Sequence, residues 1–307
     1  MGSFVIRRIG QGLFVVFAAT LVVFFLTRAF TDPVDFILPL EATEQQRLER
    51  EAELGFDRPL LVQLGDYLGD IVRGDFGESL WQPGRDTIDI VGQTLPKTLQ
   101  LVAAAMFLAI ALALPLGMMA ALRPGGWLDR LLVAFSLLGL SMPQFFVGLI
   151  LIIVFAVQLG WLPVGGYGGL DHLILPAVAL ALPALGRLTM VVRSAMIDEL
   201  NSQYVRSAKA KGMSRRSVVA KHALRNAGVQ VLTMSGWEIT RALAGFTVVV
   251  EKVFAWPGFG LFALEAIQRR DLFLLSTIVL IASILVVVVN VIVDILYKWV
   301  DPRIKLS

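Results

Sequence analysis

The chain is organised by long apolar runs that keep charge out of their middles. A bilayer core requires about 20 such residues at the helical rise of 1.5 Å. Six stretches meet that requirement, at 9–30, 99–122, 131–159, 172–196, 229–250 and 274–299. Arg187 and Arg193 lie in the second half of the fourth, which shortens its apolar part to 173–185. Between the first two runs, residues 31–94 follow another pattern. Thr43 with Gln46 forms a capping box that opens a helix, and Gly55 closes it. Pro59 suits a first helical position, Leu60, Leu64, Tyr67/Leu68 and Ile71 recur every three to four residues, and Gly74 is a stop. The pattern predicts an all-α, polytopic membrane protein with six transmembrane helices and a helical insertion after the first. The layout is a flank and first span at 1–30, the insertion at 31–94, a five-helix core at 95–300 containing a loop at 201–227, and a tail at 301–307.

Composition sharpens this reading. Of 307 residues 57% are apolar even without counting Gly, and only 17% are charged, too few charges to coat a water-facing surface. A soluble enzyme and a disordered chain are both excluded on those grounds. With no Cys there are no disulfides, thiolate nucleophiles or Cys-based metal sites, and His172 and His222 are the only histidines.

Lys and Arg set the orientation, because positive segments resist translocation. Sixteen lie before the first run, between the second and third, in the second half of the fourth and the loop that follows it, and around the end of the sixth. The segment 160–171 has none, and Lys252, Arg269 and Arg270 are balanced by Glu251, Glu265 and Asp271. Both termini are therefore expected in the cytoplasm. Arg7-Arg8 before an apolar stretch resembles a signal peptide, yet the stretch has span length and no Ala-x-Ala site follows, so it reads as an anchor. The outer insertion carries fourteen carboxylates against five Arg. It is either a solvated cap resting on the bundle or a docking or gating surface for an outer partner.

Inside the spans, Ala105, Ala109, Ala113, Gly117 and Ala121 form a small-residue stripe at four-residue spacing, suited to close packing within the chain in preference to a subunit interface, though the two can coexist. Pro115, Pro143, Pro176 and Pro183 interrupt spans and weaken local bonding. Glu238 and Arg241 share a face at i, i+3, and a mutual ion pair is favoured over a place on a water-filled path. Asp294 and Lys298 read as an interfacial pair, and Asn290 as a bond to a neighbouring helix.

The segment from Gln203 to Asn226 carries the most information. Gly212 can end a helix in the left-handed conformation and Ser214 can cap the next, giving two short basic helices joined by a tight turn. Tyr204, Val205, Ala208, Met213 and His222 give apolar or small faces amid Lys209, Lys211, Arg215 and Arg225. Three roles compete. A DNA-binding helix-turn-helix lacks a supporting bundle in a loop tethered twice to the bilayer, so no nucleic-acid partner is expected. Contact with anionic lipid is common for basic loops. A plug for a soluble partner would use Ala208 and Gly212 for close approach.

Here a resemblance decides. Gln203-Tyr-Val-Arg-Ser-Ala-Lys-Ala-Lys-Gly212 and Lys221-His-Ala-Leu-Arg-Asn-Ala227 resemble the EAA signature of bacterial ABC-importer permeases, in the version found in peptide and nickel importers. Leu54-Gly-Phe-Asp-Arg-Pro-Leu-Leu61, Arg73-Gly-Asp-Phe-Gly77, Leu140-Ser-Met-Pro143, Gly160-Trp-Leu-Pro163, Val250-Glu-Lys-Val-Phe-Ala-Trp-Pro-Gly-Phe-Gly260 and Asp301-Pro-Arg303 are similar to the B-type permease subunit of dipeptide/oligopeptide importers. Gln230 departs from that pattern, standing where the family usually has Pro.

The resemblance implies a type I ABC importer permease fold in the bacterial inner membrane, with a coupling helix docked on a cytoplasmic ATPase. Tyr204, Val205, Ala208, Lys209, Lys211, Gly212, Met213, Arg215, His222, Arg225 and Asn226 would make that contact. It also implies a second related permease, two ATPase subunits and an extracytoplasmic binding protein facing 31–94. No G-x-x-x-x-G-K-[ST] occurs, so ATP and Mg would be held on the ATPase subunits, with no cofactor on this chain. The implied cargo is a peptide, a dipeptide by preference, with longer peptides, nickel chelates and glutathione as alternatives. An ion-coupled secondary transporter or channel is the rival class, but it should show midplane coupling charges beyond Glu238/Arg241 and often an internal repeat. An intramembrane enzyme would need a base within a span, which neither histidine supplies.

Overall fold

The computed structural model describes residues 2–29, 38, 42–214 and 217–300. In chain order the helices are α1 (Gly2–Ala29), α2 (Glu44–Leu54), α3 (Leu60–Arg73), α4 (Thr87–Leu122), α5 (Trp127–Ser141), α6 (Gln144–Leu151), α7 (Leu170–Leu200), α8 (Gln203–Ala210), α9 (Leu224–Arg241), α10 (Thr247–Val253), α11 (Phe259–Arg269) and α12 (Leu272–Val300). Three π-helical segments, Ile152–Gln158, Val218–Ala223 and Ala242–Phe246, interrupt or extend them. Among the described residues the only β pairing is one isolated bridge between Glu78 and Asp86. The all-α expectation therefore holds. The chain divides into two compact units, Met1–Pro96 with Gly258–Val287, and Lys97–Pro257 with Val288–Ser307.

The expected six spans are realised less uniformly. Among the described residues four helical stretches are long and apolar enough to cross a bilayer: Arg7–Thr27, Thr87–Leu122, Leu170–Leu200 and Leu272–Leu296. The run at 131–159 is instead α5 and α6 with its π continuation, bent by 104° at Ser141–Pro143. Proline disfavours helical backbone in the residue before it, and Met142 is accordingly extended at ψ 129. The run at 229–250 is shared among α9, the π segment and α10, because Gly245 adopts φ 122. The helix that carries the second apolar run begins at Thr87, twelve residues before the run itself. Pro176 and Pro183 lie inside α7 without ending it.

In the first unit, the short helices α2 and α3 follow their caps. The Thr43 side chain accepts from the Gln46 amide at 3.3 Å, and Gln46 Oε1 accepts from the Thr43 amide at 3.0 Å. Gly55 and Gly74 end α2 and α3 at φ 70 and 80. Pro59 sits one place earlier than expected, as the N-cap, where its fixed φ still suits the helix start. Tyr67 of α3 stacks on Phe24 of α1 at 5.5 Å between centroids. Leu61 and Val72 stay exposed, so part of the apolar face of α3 remains uncovered.

Asp271 organises the other side of this unit. Helix α11 ends at Arg270 with φ 57, and the next residue caps α12, its Oδ1 accepting from the Leu274 amide at 3.0 Å. Its Oδ2 accepts from Ser79 Oγ at 2.5 Å and from the Trp81 amide at 3.1 Å. One buried carboxylate thus ends a turn and fixes a distant loop. Nearby, Ile90, Phe259, Ala266, Leu274 and Ile278 form an apolar cluster.

The second unit packs around α7. The small-residue stripe of α4 is buried, and a Cβ placed on Gly117 would stand 2.6 Å from Val192 Cβ and 2.8 Å from the Thr189 carbonyl oxygen. The stripe therefore serves packing within the chain, as its spacing predicts. The segment after α10 buries Phe254 and Trp256. Trp256 Nε1 donates to the Lys97 carbonyl at 3.1 Å, while Thr98 Oγ1 donates to the buried Glu251 at 2.6 Å.

Two substitutions test these anchors. Asp271→Ala leaves a hydroxyl and two amides without their acceptor, at about 1–3 kcal/mol for each buried group left unpaired. Limited proteolysis should then cut within 75–86 faster than in the native protein. Gly117→Val forces an overpacked contact costing about 1–3 kcal/mol, read as a lower Tm in detergent, whereas Gly10→Ala, with open space around it, should leave Tm unchanged.

Candidate functional site

The segment after α7 folds as a small platform on two long helices. Helix α7 ends at Leu200, and Ser202 Oγ turns back to the Glu199 carbonyl at 2.6 Å. Helix α8 follows, and Gly212 at φ 79 takes the left-handed conformation its position predicts. The Met213 amide closes the turn on the Ala208 carbonyl at 3.2 Å, and Ser214 Oγ accepts from the Ser217 amide at 3.3 Å. The second short helix expected here is not separate. Residues Val218–Ala223 form a π-helical opening to α9, because the apolar positions Val218, Ala223, Ala227 and Val231 continue at helical spacing with nothing to stop the chain. At Gln230, where the family's Pro is missing, the helix is uninterrupted.

Two kinds of contact hold the platform. Val205 and Val218 are fully buried. Below them Ala223, Ala227 and Val231 pack with Val192, Ala195, Met196 and Ala121. The polar contact is a triad. Tyr204 Oη donates to Glu199 Oε2 at 2.5 Å, and Asn226 Nδ2 lies 3.3 Å from the same oxygen and 3.0 Å from the phenol oxygen. Burial and then the Glu199 carboxylate push the Tyr204 phenol above its ordinary range. The triad joins the ends of α7, α8 and α9 at one point.

Facing away from these anchors, Arg206, Ser207, Lys211, Gly212, Met213 and Arg225 are exposed, while Ala208 is half-buried. The side chains of Lys209 and His222, and the whole of Arg215, lie outside the described residues. What the platform presents is a small, basic tip on a fixed base. Such a surface suits insertion into a groove of complementary charge.

A second group of polar residues lies within the helices. Glu238 is 4% exposed. The expected Glu238–Arg241 pair does not form: Glu238 is engaged by Arg187 of α7 through Nε, and through Nη2 at 2.8 Å. A guanidinium approaching from another helix can present both donors to both oxygens, which outweighs the local i, i+3 spacing. Arg241 instead lies over the rings of Trp237 and Phe246, at 4.9 and 4.2 Å from their centroids. Thr240 Oγ1 bonds Asn290 Oδ1 at 3.2 Å, the interhelical role expected for Asn290. Asp294 is buried, and the Lys298 side chain proposed as its partner lies outside the described residues.

One pair had no signal in the spacing. Arg193 binds Asp129 of α5 through Nε, and through Nη2 at 2.8 Å, while the Gly125 amide donates to Asp129 Oδ2 at 2.8 Å. Arg187 and Arg193 are thus engaged inside the bundle and do not belong to the exposed basic surface of the loop. Glu199 was likewise missed, although an isolated acid beside a basic segment was a usable hint. Among the described residues no cluster of three metal-ligating side chains occurs.

The family model described as "Binding-protein-dependent transport system inner membrane component" matches residues 113–306. A probable peptide ABC transporter permease protein of Sinorhizobium fredii is 37% identical, covering 99% of this chain and 100% of the relative. The oligopeptide transport system permease protein AppB of Bacillus subtilis is 36% identical with the same coverage. The di/tripeptide transport system permease protein DppB of Pseudomonas aeruginosa is 39% identical, covering 99% of both chains. A crystal structure of the inward-facing MetNI methionine ABC transporter shares the fold with TM-score 0.60 at 19% identity, covering 69% of this chain and 97% of that one. The chain therefore belongs to the binding-protein-dependent transport system inner membrane components, the permease subunits of ABC importers, and is not itself an enzyme.

Proposed function

We propose that this chain forms, with a second related permease, the route by which a peptide, and by preference a dipeptide, crosses the inner membrane. Two ATPase subunits drive it, holding ATP and Mg themselves, and an extracytoplasmic binding protein delivers the cargo. The observation that carries this reading is the platform at Gln203–Ala210 and Gly212. It is basic and small at its tip, and fixed at its base by the buried Val205 and by the solvent-accessible Tyr204–Glu199–Asn226 triad. A surface built in this way passes displacement to α7 and α9 instead of absorbing it. Peptide cargo is supported by the names of relatives similar over the whole chain, including a di/tripeptide permease at 39% identity. In this arrangement both termini and the platform are cytoplasmic. The exposed apolar positions of α3, Leu61 and Val72, face the binding protein.

The docking claim has a direct test. Ala208→Glu and Gly212→Asp bring bulk and charge into a close contact, and Gly212→Asp also strains a positive-φ position. Each is expected to reduce the ATPase co-purifying with the permease by about tenfold, equivalent to ~1.4 kcal/mol, with membrane insertion unchanged. Unaltered co-purification would refute docking at this surface. A separate assay addresses energy coupling: the purified chain in proteoliposomes with an imposed ion gradient and no ATPase should move no peptide. Uptake under those conditions would favour a secondary transporter.

A further inference from the structure

Charge does not balance around the broken fifth run. Two guanidiniums, Arg187 and Arg241, accompany one carboxylate, Glu238, and both oxygens of that carboxylate are engaged by Arg187. Arg241 forms no salt bridge with any described residue. Its guanidinium is held against Trp237 and Phe246, whose side chains remain 50% and 49% exposed. An unpaired guanidinium turned to lipid is strongly disfavoured, so this one faces water or an anion. The backbone beside it points the same way. Residues Ala242–Phe246 are π-helical and Gly245 sits at φ 122. Irregular backbone at membrane depth is tolerated where it lines a cavity or is covered by protein, and π-bulges concentrate at functional positions.

A recess of ≈ 20 Å³ opens here, lined by Arg187 with its partner Glu238, by Arg241 and by Gln144, together with apolar side chains of α4, α7 and the π segment; because Arg187 engages both Glu238 oxygens, Arg241 is the cation left for an entering group. That volume admits about one water-sized group. What enters is therefore the tip of a ligand and not a whole side chain. A carboxylate oxygen has the right charge and size, and guanidinium binds carboxylate in a planar, two-pronged manner. Gln144 adds a neutral amide donor at the rim.

We infer that Arg241 recognises the C-terminal carboxylate of a peptide in transit, with Trp237 and Phe246 holding the guanidinium plane and Gln144 assisting. This rests on the peptide reading given above and extends it. The terminal carboxylate is the one anionic group that peptides share whatever their side chains. A site reading it selects the chemical class and leaves the sequence free.

The test uses the complete complex in proteoliposomes, with the dipeptide-loaded binding protein, measuring uptake of a radiolabelled dipeptide and ATP hydrolysed in the same samples. Arg241→Gln should lower uptake about tenfold, the scale of one lost charged hydrogen bond, with the stimulated ATPase rate unchanged. Peptide moved per ATP then falls by the same factor. Arg241→Lys, which keeps the charge and loses the fork, should recover to within about threefold of wild type. Unchanged uptake per ATP in Arg241→Gln would overturn the inference. Loss of the second permease from the purified Arg241→Gln complex would also overturn it, assigning the charge to a subunit contact. A wild-type complex that hydrolyses ATP yet accumulates no dipeptide would remove the peptide reading, and the inference with it.

Discussion

A helix crossing hydrocarbon can hold an arginine only where something answers its charge, and α7 holds two. Arg187 is answered by Glu238 of α9 and Arg193 by Asp129 of α5, each through two donors. These pairs fix the rotation of three helices about their axes, because a turn of a few tens of degrees would separate the forks from their carboxylates. Replacing such pairs by apolar side chains could be neutral for stability. Orientation is where their effect lies. The apolar packing follows the same helix, with Val192 against Gly117 and with Ala195 and Met196 beside Ala223 and Ala227.

Because α7 is the hub of the second unit, the position of the platform at its end has mechanical meaning. The platform is short, and a short helix with only apolar contacts would slide. The Tyr204–Glu199–Asn226 triad adds direction to the apolar grip, since three polar groups from three helices converge within hydrogen-bond distance. A push at the exposed tip therefore reaches α7 and α9 together, and those helices carry the Arg187–Glu238 pair. The platform and the polar cluster within the helices are thus linked through two continuous helices within one compact unit.

Much of this was legible in the sequence, and the rest was hidden for identifiable reasons. Capping residues act within three or four positions, so Thr43, Gly55, Gly74 and Gly212 announced their helix ends. The small-residue stripe of α4 was legible because packing demands repeat with the helix. Hydropathy, by contrast, averages over breaks. It reported 131–159 and 229–250 as single spans although Pro143 and Gly245 divide them. The ion pairs were invisible because their members are 51 and 64 residues apart. Local spacing suggested Glu238 with Arg241, and only three-dimensional geometry could favour the fork of Arg187. Of the platform, the turn at Gly212 was legible, whereas the burial of Val205 within the chain, a residue expected at the docking contact, and the continuity of the second helix into α9 were not.

The Asp271 carboxylate has a consequence for biosynthesis. It closes a contact with Ser79 across 192 residues of chain, so the loop it anchors cannot settle until synthesis has passed residue 271. The first and last hydrophobic helices are integrated at opposite ends of translation, and residues 79–81 must wait between those events without their acceptor. Closure of this contact is therefore a late step, and a nascent chain stalled before residue 271 would leave Ser79 and Trp81 without their acceptor.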